Sequence, residues 1–322
     1  MVLANGSLVG ASLNENADLY WAMKQGSTNF GIVTRFEMST YPIGEIWAGA
    51  QVHDISAAPA LLAHLAEFTD KLDDDPKGMT AVGMAYSQAL GRYVIWAPVM
   101  YFKPIEFPAL FAGMEQYEAL ASSVRVCSLG EMAEEVLRSA PGGGRAQWFS
   151  FTIQTDAQFA WALHLDGKEM FKELVDIPGA SWALTFQPIN KRLMSAGTRN
   201  GGNPSRMKEG DGNLFCMVYL SSYWHDSDVD IVILGSVFWD QSRDDRVMKA
   251  FTDDLIDHID RAARARKVLH PFIYMNYALG SQDVYGGMDV ENFEKMRAVK
   301  RVYDPENVFG KYWHGGFKLP MK

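Results

Sequence analysis

Asn16-Ala17-Asp18-Leu19-Tyr20-Trp21-Ala22-Met23-Lys24-Gln25-Gly26-Ser27-Thr28-Asn29-Phe30-Gly31-Ile32-Val33-Thr34 is the stretch on which the fold turns. Its first half predicts a short helix. Asn16 stands at the cap position, Asp18 lies in the first turn where a carboxylate meets the positive helix end, and Leu19, Ala22 and Met23 share a face. Gly26 ends the helix, and Phe30 to Met38 predicts a strand. Just before it, Val2-Leu3-Ala4 and Ser7-Leu8-Val9 flank Asn5-Gly6, a dipeptide suited to the positive φ of a tight hairpin.

From about Trp47 the pattern becomes strands interleaved with amphipathic helices. Predicted strands are 47–52, 80–86, 93–102, 147–154, 181–187 and 214–223, each rich in β-branched and aromatic residues. Predicted helices are 59–72, 107–121, 129–139 and 244–267. Ser128 and Glu131 form a capping box for the third, and Val247, Phe251, Leu255 and Ile259 recur at four-residue steps in the last. Nearer the C-terminus, Phe272 to Tyr277 predicts a strand and Glu291 to Tyr303 a helix stopped by Asp304-Pro305. The expected class is α+β, with a mainly antiparallel sheet covered by helices on one face.

Composition narrows the function. The 322 residues are 48% hydrophobic and 21% charged, enough apolar mass for a sizeable core. A net charge of -9 repels phosphate backbones, so nucleic acid is not an expected partner. No apolar run is long enough to span a bilayer and the N-terminus does not read as a signal peptide, so no membrane partner is expected and the chain as it stands reads as cytoplasmic. Cys127 and Cys216 allow at most one disulfide. The seven histidines show no metal spacing, Ile231 replaces the glycine a calcium loop needs after Asp226, Asp228 and Asp230, and Gly142-Gly143-Gly144 reads as a connector. No metal is expected, and composition and spacing alone supply no catalytic triad.

Two segments carry more. The Asn16–Thr34 stretch resembles the "NpDLfWAlrGGGgnFGIVT" motif of FAD-linked oxidases of the berberine-bridge-enzyme-like group in the vanillyl-alcohol-oxidase superfamily. Tyr274-Met275-Asn276-Tyr277, then Tyr285-Gly286, then Val299 to Phe309 through Asp304-Pro305, resembles the C-terminal block of the same family. The resemblance implies FAD as cofactor and three segments: 1–44 as a residual part of the flavin-binding domain, 45–270 as the substrate-binding domain, and 271–322 returning to the flavin-binding domain. It implies cofactor contacts from Asn29, Phe30, Gly31, Ile32, Val33, Asn276 and Tyr277, and pocket polar groups Gln187, Tyr219 and Tyr277, with tyrosine as the base. Small residues at Gly26, Ser27, Thr28 and Gly31 permit close approach of a backbone to a dinucleotide; they equally suit a tight turn entering a core strand.

The chain departs from the family pattern at Lys24-Gln25-Gly26-Ser27, where a glycine triplet is common. It also starts inside the hairpin that in the family follows the pyrophosphate-binding module. The chain therefore reads as N-terminally truncated, holding FAD weakly or not at all by itself, with a homo-oligomer or the missing flavin-binding half as partner. The implied activity is oxidation of a small organic, natural-product-like substrate by hydride transfer to flavin. The alternatives are a flavin-free isomerase, cyclase or lyase, and a non-catalytic remnant.

Overall fold

The computed structural model describes residues 1–114, 116–138, 144–218 and 237–321. Tyr219, Gly142, Gly143, Asp226, Asp228 and Asp230 lie outside these described residues. The strands are β1 (Ile46–Asp54), β2 (Gly78–Thr80), β3 (Val82–Ser87), β4 (Arg92–Tyr101), β5 (Ala121–Ser122), β6 (Arg125–Cys127), β7 (Arg145–Gln147), β8 (Ser150–Gln154), β9 (Trp182–Ile189), β10 (Leu214–Val218), β11 (Val237–Trp239) and β12 (Leu269–His270). The helices are α1 (Ala17–Met23), α2 (Ala58–Lys71), α3 (Leu129–Arg138), α4 (Ala157–Phe171), α5 (Lys191–Thr198), α6 (Asp245–Arg266), α7 (Val290–Tyr303) and α8 (Val308–Tyr312). No helix among the described residues is long and apolar enough to cross a membrane.

The chain divides into two compact units: Met1–Tyr41 with Lys191–Asp211 and Pro271–Lys322, and Pro42–Asn190 with Gly212–His270. The second unit is built on a ten-stranded sheet in the order β12-β8-β10-β9-β3-β4-β1-β5, with β2 beside β4 and β6 beside β1. Every pairing in it is antiparallel, as the α+β reading expects. Side chains alternate across a strand, so the register sorts them into two faces. One face carries Met84, Ile95, Trp182, Leu184, Phe186, Phe151, Ile153 and Phe215, all buried. Helices α2, α4 and α6 pack on this side: Trp182 meets Phe171 of α4 and Phe251 of α6 at 6.0 and 6.2 Å between ring centroids. Leu61, Leu62, Leu65 and Phe68 of α2 are buried on the stripe that the periodicity predicts. Each such side chain contributes about 1.5–3 kcal/mol on leaving water.

Local signals hold where the chemistry is local. Ser128 Oγ accepts from Glu131 N at 3.2 Å and Ser128 N donates to Glu131 Oε2 at 2.7 Å, closing the capping box of α3. Gly6 adopts φ 80° in the hairpin that bridges Val2 to Leu8. Four expectations are corrected. Among the described residues of 107–121 the helical part is a 3₁₀ turn, Ala109–Phe111, because Phe107 and Gly113 take positive φ (49° and 98°) and break the helix; Phe111 instead wedges its ring between Trp47 and Phe68. In α6 the buried stripe starts at Met248, and Val247 faces outward. Residues 272–277 are no strand: Met275–Tyr277 is a 3₁₀ turn, which brings Tyr274 and Tyr277 edge to face at 4.8 Å, whereas three-residue spacing in a strand sends side chains to opposite faces. In 30–38 only Ile32 pairs, with Val2. A helix that the sequence reading omits, α4, is capped by Asp156 Oδ1 accepting from Phe159 N at 2.9 Å.

The first unit has one core. Leu3, Leu19, Trp21, Ala22 and Phe30 from the N-terminal end pack with Val284, Tyr285, Met288, Met296, Val299 and Leu319 from the C-terminal end. The boundaries differ from the sequence reading, because 191–211, assigned there to the middle segment, belongs to this unit. Its ties explain why. Lys24 Nζ donates to the carbonyls of Asn200 and Gly202, both at 2.6 Å, and Arg206 and Lys208 reach Asp289 at 3.4 and 3.2 Å.

Candidate functional site

The sheet of the second unit turns a different surface away from α2, α4 and α6; α3 packs on it only at the β1 end, with Met132 against Ile46 and Ala48. Cross-strand partners in an antiparallel ladder point the same way. Thr152 is opposite Cys216, Cys216 opposite Gln187, and His270 opposite Thr152, so these four share a row. One step along, Thr185 is opposite Gly83 and Gly83 opposite Trp96. This face is small and polar where the other is large and apolar. Thr152 and Thr185 are fully buried, and Gln187 is half-buried.

Three groups on it are unsatisfied. Thr152 Oγ1, Thr185 Oγ1 and Trp96 Nε1 are buried without a hydrogen-bond partner. Each such group costs about 1–3 kcal/mol, and buried polar atoms without partners are rare enough to need a reason. Gly83 takes part in the arrangement: a Cβ there would sit 2.6 Å from Thr185 Oγ1. Thr185 can donate or accept, Trp96 donates, and the Gln187 amide does both. Together they form a polar patch on a buried surface, the composition of a small-molecule site. Cys216 beside them is no nucleophile. Burial pushes its thiol up to about 11, although Ser150 at 3.8 Å counteracts, so it stays protonated near neutrality.

In the first unit the predicted cofactor residues separate into two groups. Asn29 is fully buried and its side chain is committed within the chain: Nδ2 donates to Gly26 O, Tyr285 OH and Phe317 O, and Oδ1 accepts from Leu319 N. Phe30 is core. The glycines answer to packing: a Cβ on Gly31 would lie 2.7 Å from Val2 O, and one on Gly26 would strike the Phe30 ring. Lys300, buried, donates to Asn29 O at 3.0 Å and pairs with Asp304 at 3.2 Å. Asp304 also accepts from Val308 N and Phe309 N, at 2.6 and 3.1 Å. Burial raises the Tyr285 hydroxyl well above its ordinary value, and the bond from Asn29 only partly offsets this.

What remains open to a cofactor is the surface of Gly31, Ile32 and Val33 and, on a separate turn, Asn276 and Tyr277. Asn276 is exposed and its amide donates to Tyr274 OH at 2.8 Å. The exposed amide and the two phenol rings are polar and aromatic groups of the kind that can contact a flavin ring. The structure thus brings Asn29 and Phe30 into one core and Asn276 beside Tyr277; Gln187 stands in the other unit and Tyr219 lies outside the described residues. Sequence reading overlooks Thr185 and Trp96. Thr185 lies two residues before Gln187, and that polar alternation in an otherwise apolar strand is the signal that finds it.

No family model matches the chain. Its relatives include the FAD-dependent monooxygenase drtC of Aspergillus calidoustus, 29% identical over 99% of this chain and 58% of the relative. A second, the FAD-dependent monooxygenase tpcD of Cochliobolus heterostrophus, is 30% identical over 99% of this chain and 61% of the relative. The chain spans about three fifths of the length of these curated relatives. Among solved structures, 6-hydroxy-D-nicotine oxidase of Arthrobacter nicotinovorans superposes with a TM-score of 0.68 at 16% identity, covering 100% of this chain and 65% of that one. The BBE-like 1 protein of Physcomitrella patens gives 0.65 at 15% identity, covering 100% and 64%. The chain is thus related to fungal proteins named FAD-dependent monooxygenases, and it has the fold of the FAD-linked oxidases of the berberine-bridge-enzyme-like group.

Proposed function

We propose that this chain is the substrate-recognising part of a FAD-linked oxidoreductase that oxidises a small organic molecule carrying at least one hydroxyl or carbonyl. The observation that carries the reading is the set of orphaned buried groups, Thr152 Oγ1, Thr185 Oγ1 and Trp96 Nε1, on a polar sheet face beside Gln187. Relatives named for FAD-dependent chemistry support the redox class. The substrate lies on that face. Trp96 donates to one of its oxygens, Thr185 bonds a second polar atom, and the Gln187 amide orients the molecule. The apolar sides of the face exclude water. Gly31–Val33 and Asn276–Tyr277 would hold a flank of the flavin. A bound flavin would supply the hydride acceptor. Tyr277 is the proposed proton acceptor, its ring fixed against Tyr274.

The test is anaerobic. The folded chain is mixed with excess FAD, and a panel of aromatic and aliphatic alcohols is added while the flavin absorption is followed. The expected result is bleaching by one class of alcohol, with Gln187→Leu and Thr185→Val raising KM and Tyr277→Phe lowering kcat. Bleaching that is unchanged in all three variants contradicts the assignment of the site.

A further inference from the structure

The orphaned groups of the second unit restrict what can lie on their face. Trp96 Nε1 donates and cannot accept, so its partner is an acceptor oxygen; Thr185 Oγ1 does both, so its partner can be a hydroxyl. Both side chains are shut away from bulk water, Thr185 at 0% and Trp96 at 4% exposed. They stand on β9 and β4, two strand spacings or about 9.6 Å apart at the backbone, with β3 between them. There β3 turns Gly83 and Ala85 to this face, and Met84 and Tyr86 to the helices. A glycine inside a strand weakens it and often marks a close approach. No positive φ requires one at position 83. A Cβ there would meet Thr185 Oγ1 at 2.6 Å, and the next atom of another residue is Trp96 O at 3.5 Å. The missing side chain thus leaves the Thr185 hydroxyl lying over a gap between the two orphans.

Charge sets a second limit. The rows through Thr185 and through Gln187 hold no Asp, Glu, Lys or Arg among the described residues. A carboxylate, phosphate or ammonium laid there loses its water without gaining a counter-ion, which is strongly unfavourable. A sugar is neutral but brings more hydroxyls than Thr152, Thr185, Trp96 and Gln187 can pair, and each one left against Gly83, Ala85 or Val52 is desolvated without return. A flat ring has the opposite balance. Its faces suit the small and apolar residues, and an oxygen at each end reaches a group that lacks a partner.

We propose that the substrate of this face is an uncharged aromatic molecule with a carbonyl oxygen bonded by Trp96 and a hydroxyl bonded by Thr185. This rests on the reading of the face as the substrate site and adds the chemical class. The test is binding without flavin to the 322-residue chain, labelled with nitrogen-15 in its nine indole groups. The indole N–H signal that disappears in Trp96→Phe is that of Trp96. Three probes are titrated: 4-(hydroxymethyl)acetophenone; 4-(hydroxymethyl)benzoate, which replaces the ketone by a carboxylate; and glucose. The ketone moves the Trp96 signal downfield and saturates, and the other two leave it in place. By calorimetry, Trp96→Phe and Thr185→Val each weaken binding of the ketone about three- to tenfold, as the loss of one neutral hydrogen bond does; circular dichroism confirms that both are folded. A Trp96 signal that moves as far with the benzoate or with glucose overturns the class and leaves the site standing. Ketone binding that spares the Trp96 signal and is unchanged in both variants overturns the site, and the class with it. A ketone that does not bind the wild type overturns the class.

Discussion

The two units solve the same packing problem with different materials. The second presses a sheet of large apolar side chains onto three helices, so its stability is spread over many contacts of similar size. The first joins three distant stretches of chain and sets a buried lysine and aspartate at the junction, with Asn29 as the hub. Distributed apolar burial tolerates local exceptions, and the second unit keeps unsatisfied polar atoms on both sides of its sheet, Thr185 and Trp96 on one and His164 on the other. In the first unit the fully partnered groups Asn29, Lys300 and Asp304 are structure; in the second, the unpartnered groups on the face away from α2, α4 and α6 mark the candidate binding surface.

The sharpest way to break this contrast is at Lys300. Lys300→Ala leaves the Asp304 carboxylate buried without its cation and removes a donor from Asn29 O. The expected cost is about 3–5 kcal/mol. Urea unfolding should show the loss, and limited proteolysis should cut within 1–41 and 271–321 before it cuts the second unit. A variant as stable as wild type shows that the junction does not depend on the pair.

Next comes acid. His164 in the second unit is fully buried and stacked between Trp161 and Trp182, at 5.3 and 5.5 Å, with both ring nitrogens unpartnered. Burial, helped by the Lys168 charge, pushes its pKa from 6.5 down to about 3. The unfolded chain therefore binds the proton more readily than the folded one, and stability falls as pH drops from 6.5 towards 3. The loss amounts to about 3 kcal/mol by pH 4. His164→Phe should flatten that part of the Tm-against-pH curve; a variant with the wild-type acid dependence refutes the attribution.

The smallest effect sharpens the comparison most. Thr185→Val replaces an orphaned hydroxyl with a methyl group of the same shape. The folded chain should gain about 1 kcal/mol, read as a rise in Tm. Destabilisation by that substitution shows instead that the hydroxyl has a structural partner.

Legibility in the sequence follows the range of the interaction. The Asn5-Gly6 hairpin, the Ser128–Glu131 box and the α2 stripe rest on neighbours within a few residues, and all are readable. Residues 107–121 mislead because the apolar spacing of Leu110, Phe111 and Met114 suits a helix and an aromatic-packed loop equally well; only the positive φ at Phe107 and Gly113 separates them. Segment 191–211 is invisible as a part of the first unit because backbone carbonyls accept the Lys24 ammonium, and carbonyls carry no residue identity. The site is half legible. Gln187 stands out as a polar residue in an apolar strand, whereas Thr185, Gly83 and Trp96 meet only through the cross-strand register of β9, β3 and β4, which no local pattern encodes.

The most direct test of the central claim is a titration of FAD into the folded chain, followed in the visible flavin band. A saturable shift of that band with weak affinity, diminished in a variant of the Asn276–Tyr277 turn such as Tyr277→Ala, is the predicted result. A band that keeps the position and shape of free FAD at every concentration, with the chain folded throughout, contradicts the account.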